Sequence, residues 1–175
     1  VYGKQPADMS HVSENFFGAP DCLAPDSAYA EGKRISELMA AIYSKKSYCE
    51  IKIARCFAFV GPHLPLNSHF AIGNFIGDAI LGRPIRIKGD GTPLRSYLYA
   101  GDLTVWLWVI LFRGASGRAY NVGSEQSLDI STIADSVSRA MKGRSNVEIE
   151  SEPFHGQAVS RYVPSTQRAA LELGL

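Results

Sequence analysis

The sequence predicts an α/β fold, and three observations predict it. Segments whose apolar residues recur with helical spacing alternate along the chain with short runs rich in β-branched and aromatic residues. Turn-forming clusters such as Gly61-Pro62 and Gly89-Asp90-Gly91 stand between several of them. The 175 residues are 46% hydrophobic and 20% charged, the composition of a globular chain long enough to bury its own core.

Residues 1–26 carry Gly3, Pro6, Gly18, Pro20 and Pro25 without an apolar period, which predicts an extended loop crossing a surface. Asp26 and Ser27 are N-cap types, and Ala30, Ile35, Leu38, Met39 and Ile42 then mark an amphipathic helix over 27–47, with Glu31, Lys33, Arg34, Glu37 and Lys45 on its polar face. The run 51–60 alternates imperfectly, is β-branched and aromatic, and predicts a largely buried strand closed by Gly61-Pro62. A second helix is predicted over 70–81, a short strand over 85–88, a turn at 89–91 and another short strand over 97–99. Asp102 is placed to cap an almost wholly apolar helix reaching Phe112, in which Trp106 and Trp108 read as core packing. A strand over 119–122, an amphipathic helix over 129–141 with Ile130, Ile133, Ala134 and Val137 inward, a strand over 147–149 and a helix from about 166 complete the chain.

Charge and composition exclude several classes. With Lys+Arg 18 against Asp+Glu 17 and no run of like charges, the chain lacks the basic footprint of a duplex nucleic-acid or anionic-membrane binder, so any anion it takes is small. The longest apolar run, Val105 to Phe112, is far short of the roughly 20 residues that span a bilayer as a helix. Three cysteines without a CxxC pair, and no segment like a signal peptide, point to a reducing cytoplasm, although Val1 is not a natural translation start. His63 and His69 lie in one loop and His11 and His155 stand apart, which gives no metal-ligand spacing; no GxSxG elbow, Walker A sequence or GxGxxG turn occurs.

The reactive pattern is Tyr29-Ala-Glu-Gly-Lys33, a phenol and an ammonium one helical turn apart and therefore on one face. A lysine so placed favours the phenolate and makes the tyrosine a usable general acid/base; the same spacing also describes a solvated surface pair. A second match, Tyr48 to Lys52, straddles a predicted helix end and strand start, so its side chains should not share a face. Arg95 follows the turn at 89–91 at the start of a strand, a rigid mount for a guanidinium that suits diphosphate oxygens, or an exposed arginine of an ordinary hairpin. Arg161 has the same two readings, and Asn74 on the second helix is either a ligand contact or a helix-packing amide.

Taken in order, Val1-Tyr2-Gly3, Tyr29-x-x-x-Lys33 with Glu37, the run Arg55 to Pro62, Asn74-Phe75-Ile76, Gly82-x-Pro84, Gly89-Asp-Gly91 with Arg95, Tyr99-x-x-Asp102, Tyr120-Asn121-Val122-Gly123, and Arg161 before a closing Leu-Gly-Leu resemble the extended short-chain dehydrogenase/reductase family, in particular its NAD-dependent nucleotide-sugar epimerases, dehydratases and decarboxylases. The resemblance implies the second half of a Rossmann-like doubly wound sheet plus a small α/β substrate-binding domain: 1–62 as the C-terminal part of the NAD-binding domain, and 63–175 as mainly substrate-binding with one or two elements returning to the sheet. It implies that Tyr29 exchanges a proton with the sugar 4-hydroxyl during hydride transfer to NAD. Lys33 would hold the nicotinamide ribose and depress the Tyr29 pKa, Asn74, Arg95 and Arg161 would grip the nucleotide diphosphate, and Ile85 and Ile87 would lie near the base. The helix over 27–47 would be one of those pairing across a homodimer.

Two departures qualify the match. Where many members read Phe-Asn-x-Tyr-Gly-Pro this chain has Phe57-Ala58-Phe59-Val60-Gly61-Pro62, which replaces a substrate-contacting Asn by Ala58. The family's cofactor fingerprint and the Ser or Thr completing its catalytic site lie upstream of the Val-Tyr-Gly segment. The chain is therefore expected to be the C-terminal portion of a 4,6-dehydratase, epimerase or close decarboxylase relative, inactive by itself. The alternative from a different class is a non-catalytic nucleotide-sugar-binding or dimerisation module of the same fold.

Overall fold

A computed structural model describes residues 1–46, 49–68, 70–143, 145–152 and 159–175. The elements run α1 (Ala28–Lys46), β1 (Lys52–Cys56), β2 (Phe59–Val60), α2 (Ala71–Ile80), β3 (Ile85–Ile87), β4 (Leu94–Arg95), β5 (Leu98–Tyr99) and α3 (Ala100–Arg113). They continue β6 (Arg118–Val122), β7 (Leu128–Asp129), α4 (Ile130–Ala140), β8 (Val147–Ile149), β9 (Arg161–Tyr162) and α5 (Gln167–Leu173). Every predicted helix and strand has a counterpart. The three strands the sequence did not predict, β4, β7 and β9, are two residues long, too short to show a period of two.

Strands pair mostly in parallel, and the partners are distant in sequence. β1 lies parallel to β6 with Ala54 opposite Tyr120 and Arg55 opposite Asn121. β2 lies parallel to β5, and β3 to β8. β4 sits between β7, antiparallel, and β9, parallel, with Leu94 opposite Arg161 and Arg95 opposite Tyr162. Parallel neighbours need crossover connections, and here helices α2, α3 and α4 lie within them.

Two apolar clusters result. In one, Ile72, Phe75 and Ala79 of α2 meet Ile133 and Ala134 of α4 over Ile85 and Ile87 of β3. In the other, Ile110 of α3, Tyr120 and Val122 of β6, and Ala169 and Leu173 of α5 pack with Ala54 of β1 and Trp106. The turn between β3 and β4 requires Gly91: its φ is 77°, and a Cβ there would stand 3.1 Å from the Ser131 Cβ at the start of α4.

Several expectations are corrected. The amphipathic helix exists, but α1 buries no residue, and Ile35, Leu38, Met39 and Ile42 stay exposed; Leu38 only lines an open cleft with Phe16, Phe17 and Ile53. β1 and β2 are half-buried rather than largely buried, since each has a strand on one side alone among the described residues. The α3 N-cap is Tyr99, so Asp102 lies inside the first turn and complements the helix dipole there without capping it. Trp106 packs in the core as predicted, whereas Trp108 is 57% exposed and stacks on Phe112 at 5.6 Å between ring centroids. The stretch 1–26 is irregular as expected, yet it is not a loop lying loosely on the surface. Tyr2, Gln5 and Val12 are buried, the Val12 amide donates to the Val163 carbonyl at 2.9 Å, and the Ser165 amide donates to the Val12 carbonyl at 2.8 Å. Ser47, Tyr48, His69 and His155 lie outside the described residues, which takes in the end of the predicted first helix and the second Tyr-x-x-x-Lys match. No helix among the described residues is long and apolar enough to cross a membrane.

Candidate active site

Tyr29 and Lys33 occupy consecutive turns of α1 and line one cleft of about 710 Å³. The cleft runs along the whole of parallel strand β1, from Lys52 to Cys56, and reaches Phe57 just beyond its carboxyl end, the end at which open α/β sheets bind ligands. The Lys33 Nζ stands 5.4 Å from the centre of the Tyr29 ring, within cation–π range, while the tyrosine is 77% exposed and reachable from solvent. The phenol and the ammonium therefore sit together as the i, i+4 spacing requires, with the lysine lying over the ring.

Tyr162 of β9 also lines the cleft, and its ring stacks on Phe57 with 4.8 Å between centroids. Burial pushes the Tyr162 phenol above its ordinary pKa, with Arg55 pulling the other way and Tyr29 adding to the rise. Cys56 lines the same cleft and is exposed there; partial desolvation by its neighbours raises its thiol while the nearby Lys33 opposes the shift. Sequence reasoning passed over Tyr162 as a site residue. Its one signal was position beside Arg161, since successive strand residues face opposite sides.

The cleft floor is polar and fully connected. The Arg55 Nε donates to the Glu37 Oε1 at 2.8 Å and its Nη2 to the Glu37 Oε2 at 2.7 Å, a bidentate pair between β1 and α1. The Arg55 Nη1 donates to the Tyr2 hydroxyl at 2.8 Å, and that hydroxyl donates to the Asn121 Oδ1 at 2.6 Å. The Asn121 Nδ2 in turn donates to the Val12 and Ser165 carbonyls at 2.9 and 3.0 Å. Burial alone would lower the Arg55 pKa, but its bonds to Glu37 and Tyr2 more than offset this and raise it; burial raises the Tyr2 phenol. Glu37, Arg55, Tyr2 and Asn121 were visible in the sequence as motif members, not as one network.

Asn74 and Ile87 line a second cleft of about 850 Å³ with Arg83, Arg86, Lys88 and Glu150. Phe70, which lines the first cleft, immediately precedes α2, whose Ala71 and Asn74 line the second. Ile85 departs from expectation: it is fully buried between α2 and α4, and its side chain reaches neither cleft. Arg95 and Arg161 line neither cleft as well. They stand on neighbouring strands offset by one residue, so their side chains leave opposite faces of the three-stranded sheet. Arg95 donates to the Leu94 and Ser160 carbonyls at 2.7 and 3.3 Å, and Arg161 makes a 3.5 Å contact with the Ser10 carbonyl. Among the described residues no group of three His, Cys, Asp or Glu side chains gathers as a metal site.

Residues 1–123 match the family model described as the NAD dependent epimerase/dehydratase family. Over 174 residues the chain is 29% identical to UDP-glucuronic acid decarboxylase 1 of Xenopus tropicalis, covering 99% of this chain and 40% of that protein. It is 28% identical over 148 residues to UDP-glucuronic acid decarboxylase 2 of Arabidopsis thaliana, covering 85% of this chain and 33% of that one. Among solved structures, UDP-glucose 4-epimerase of Thermotoga maritima with UDP-glucose superposes with a TM-score of 0.84 at 17% identity, covering 99% of this chain and 53% of that chain. The dTDP-glucose 4,6-dehydratase of Bacillus anthracis in complex with NAD gives 0.81 at 20%, covering 100% and 53%. The chain thus spans about 40% or less of the decarboxylases' length and about half that of these structures.

Proposed function

Because this chain belongs to the NAD-dependent epimerase/dehydratase family, we propose that it carries the acid/base and substrate-binding part of an enzyme that transiently oxidises a nucleoside-diphosphate sugar at C4. The observation that carries this reading is the placement of Tyr29 and Lys33 together on one face of α1, in a cleft open to solvent that runs along parallel strand β1 to Phe57 beyond its carboxyl end. The residues fit the ribose end of a dinucleotide. An ammonium with three donors and a reachable phenol form the donor set, whereas no glycine-rich phosphate turn occurs within the 175 residues. NAD, when bound, supplies the hydride acceptor and returns the hydride later.

In this proposal Tyr29 accepts the proton of the sugar 4-hydroxyl as the C4 hydrogen departs, and gives it back on reduction. Lys33 holds the ribose hydroxyls and keeps positive charge beside the phenol. Tyr162, stacked on Phe57 in the lining of the same cleft, offers its hydroxyl as a donor to sugar oxygens. Asn74 and the cationic rim of the second cleft hold the nucleotide, with Ile87 against the base. Arg95 and Arg161 leave opposite faces of the sheet, so one of them at most serves a given diphosphate, and only by leaving its present carbonyl partners.

For the reaction branch, the likeness in sequence to decarboxylases acting on UDP-glucuronic acid favours decarboxylation. Oxidation at C4 of a glucuronic acid puts a ketone β to the carboxylate, which then leaves as carbon dioxide before the ketone is reduced again. We assign residues 1–62 to the cofactor side and 63–175 mainly to the substrate side. The cluster of α2, α4 and β3 supports that division, with β5, α3 and β6 returning to the sheet beside β1 and β2. We assign α1 as a homodimer contact through its exposed Leu38, Met39 and Ile42.

The test is to incubate the natural-length polypeptide with NAD and, separately, UDP-glucuronate, dTDP-glucose and UDP-glucose, and to identify products by mass spectrometry. A UDP-pentose with release of carbon dioxide is expected. A 4-keto-6-deoxy product selects the dehydratase branch, UDP-galactose the epimerase branch, and no turnover of any nucleotide sugar sinks the enzymatic reading in favour of a binding module.

A further inference from the structure

Helix α1 carries Tyr29 and Lys33, yet buries no residue, so hydrophobic packing within this chain does not set how it rolls about its axis. Two polar ties hold it among the described residues. The Arg34 Nη1 donates to the Val1 and Gly18 carbonyls, each at 3.1 Å, and Glu37 takes both prongs of the Arg55 guanidinium. A single hydrogen bond leaves a helix free to turn, whereas a fork fixes both position and direction. The pair is sheltered, with 18% and 22% side-chain exposure, where solvent screening is weakened.

Residues 29, 33 and 37 follow at i, i+4 and i+8, within about 80° of one another around the helix and about 12 Å along it. Whatever fixes Glu37 therefore fixes the angle at which Tyr29 and Lys33 meet the cleft. Arg55 is itself immobilised by the Tyr2 hydroxyl, Tyr2 is 2% exposed, and its hydroxyl ends on Asn121 of β6, the strand paired with β1. The chain of bonds runs from the sheet, through the N-terminal segment, to the helix that bears the reactive pair.

We propose that Glu37 and Arg55 are positioning residues, a two-pronged clamp referenced to the sheet through Tyr2 and Asn121 that sets the orientation of Tyr29 and Lys33. This rests on the reading of Tyr29 as the acid/base. The clamp acts on the geometry of proton exchange and not on nucleotide capture, because Asn74 and its neighbours lie on α2 and β3 in the other cleft.

The experiment compares Arg55→Lys, Glu37→Gln, the exchange Glu37→Arg with Arg55→Glu, and Tyr29→Phe, all in the natural-length enzyme, reading kcat and KM separately. Arg55→Lys keeps the charge and removes the fork. It should lower kcat by at least about tenfold, a misplacement effect, with KM for the nucleotide sugar within about twofold. Glu37→Gln should do likewise, and the exchange should recover part of the loss. Tyr2→Phe, which cuts the reference to the sheet without touching the fork, should show a smaller fall in kcat at the same KM and keeps the test alive if a charge variant does not fold. If Tyr29→Phe is inactive while Arg55→Lys and Tyr2→Phe turn over at the parent rate, the clamp is overturned and the acid/base reading stands. If Tyr29→Phe itself keeps full turnover, the acid/base reading falls and the clamp with it.

Discussion

At the scale of single residues, the site was legible where chemistry depends on one helix and illegible where it depends on which strands meet. Tyr29 and Lys33 could be paired from their spacing because a helix dictates its own neighbours. Arg95 and Arg161 could not be placed, because their facing is set by the one-residue offset between β4 and β9, a tertiary fact. Ile85 and Ile87 look alike in sequence, and only the packing of α2 and α4 over β3 decides that the first is wholly enclosed. Two outcomes belong at this scale. In the natural-length protein, Tyr29→Phe should leave nucleotide-sugar binding nearly intact and reduce turnover by at least ~10²-fold in steady-state assays; unchanged turnover would falsify its role as acid/base. Asn121→Leu should destabilise the fold by about 2–4 kcal/mol in denaturant titration, since it leaves the buried Tyr2 hydroxyl proton without its acceptor and the Ser165 carbonyl without its donor.

At the scale of elements, local signals located every helix, and they failed where they had to say what a helix faces. The α1 stripe of Ile35, Leu38, Met39 and Ile42 announces a helix correctly but does not reveal that all four side chains stay exposed in this chain. Trp108 in α3 was assigned to the core because the whole segment is apolar, and an apolar helix carries no stripe to say which side is in. Helix α4 is the opposite case, with a strong stripe and a cap. The Asp129 side chain accepts from the Thr132 amide at 2.6 Å and from the Ser131 hydroxyl at 2.7 Å. The serine bond first, and the amide with it, hold this carboxyl below its ordinary pKa. A depressed folded-state pKa means that the cap stabilises the protein above the unfolded value near 3.9 and that this contribution is lost as pH falls through the folded value. Asp129→Ala should cost about 1 kcal/mol at neutral pH, whereas Asp129→Asn should keep most of that stability and flatten the acid limb of a stability-versus-pH curve. A curve for Asp129→Asn that still tracks the parent through the acid range would assign the limb to other carboxylates.

For the whole molecule, the α/β class followed from alternation alone, and the pairing of distant strands did not, since nothing in Ile51 or Lys52 names Arg118 as a neighbour. The order of family motifs supplied what local pattern could not, because it carries the topology with it. Two outcomes belong here. The 175-residue chain mixed with NAD and a nucleotide sugar should show no growth of reduced-cofactor absorbance, having a Tyr/Lys pair but no phosphate turn for the dinucleotide; a rising signal would show that this portion holds cofactor unaided. Replacing Leu38 and Ile42 together by Glu should shift the natural-length protein toward monomer in sedimentation, and an unmoved boundary would place the contact elsewhere.

The seating of Val12 between Val163 and Ser165 has a consequence for the order of synthesis. Residues made near the start of this stretch find their backbone partners among those made near its end, so the N-terminal segment leaves the ribosome long before its seat exists. Tyr2 and Asn121, 119 positions apart, wait in the same way. Contacts of such long reach form late and slowly, and the bonds that reference the reactive helix to the sheet are therefore among the last to close. A ribosome stalled short of β9 would hold a chain that has made the first four helices but neither α5 nor the backbone seat of Val12.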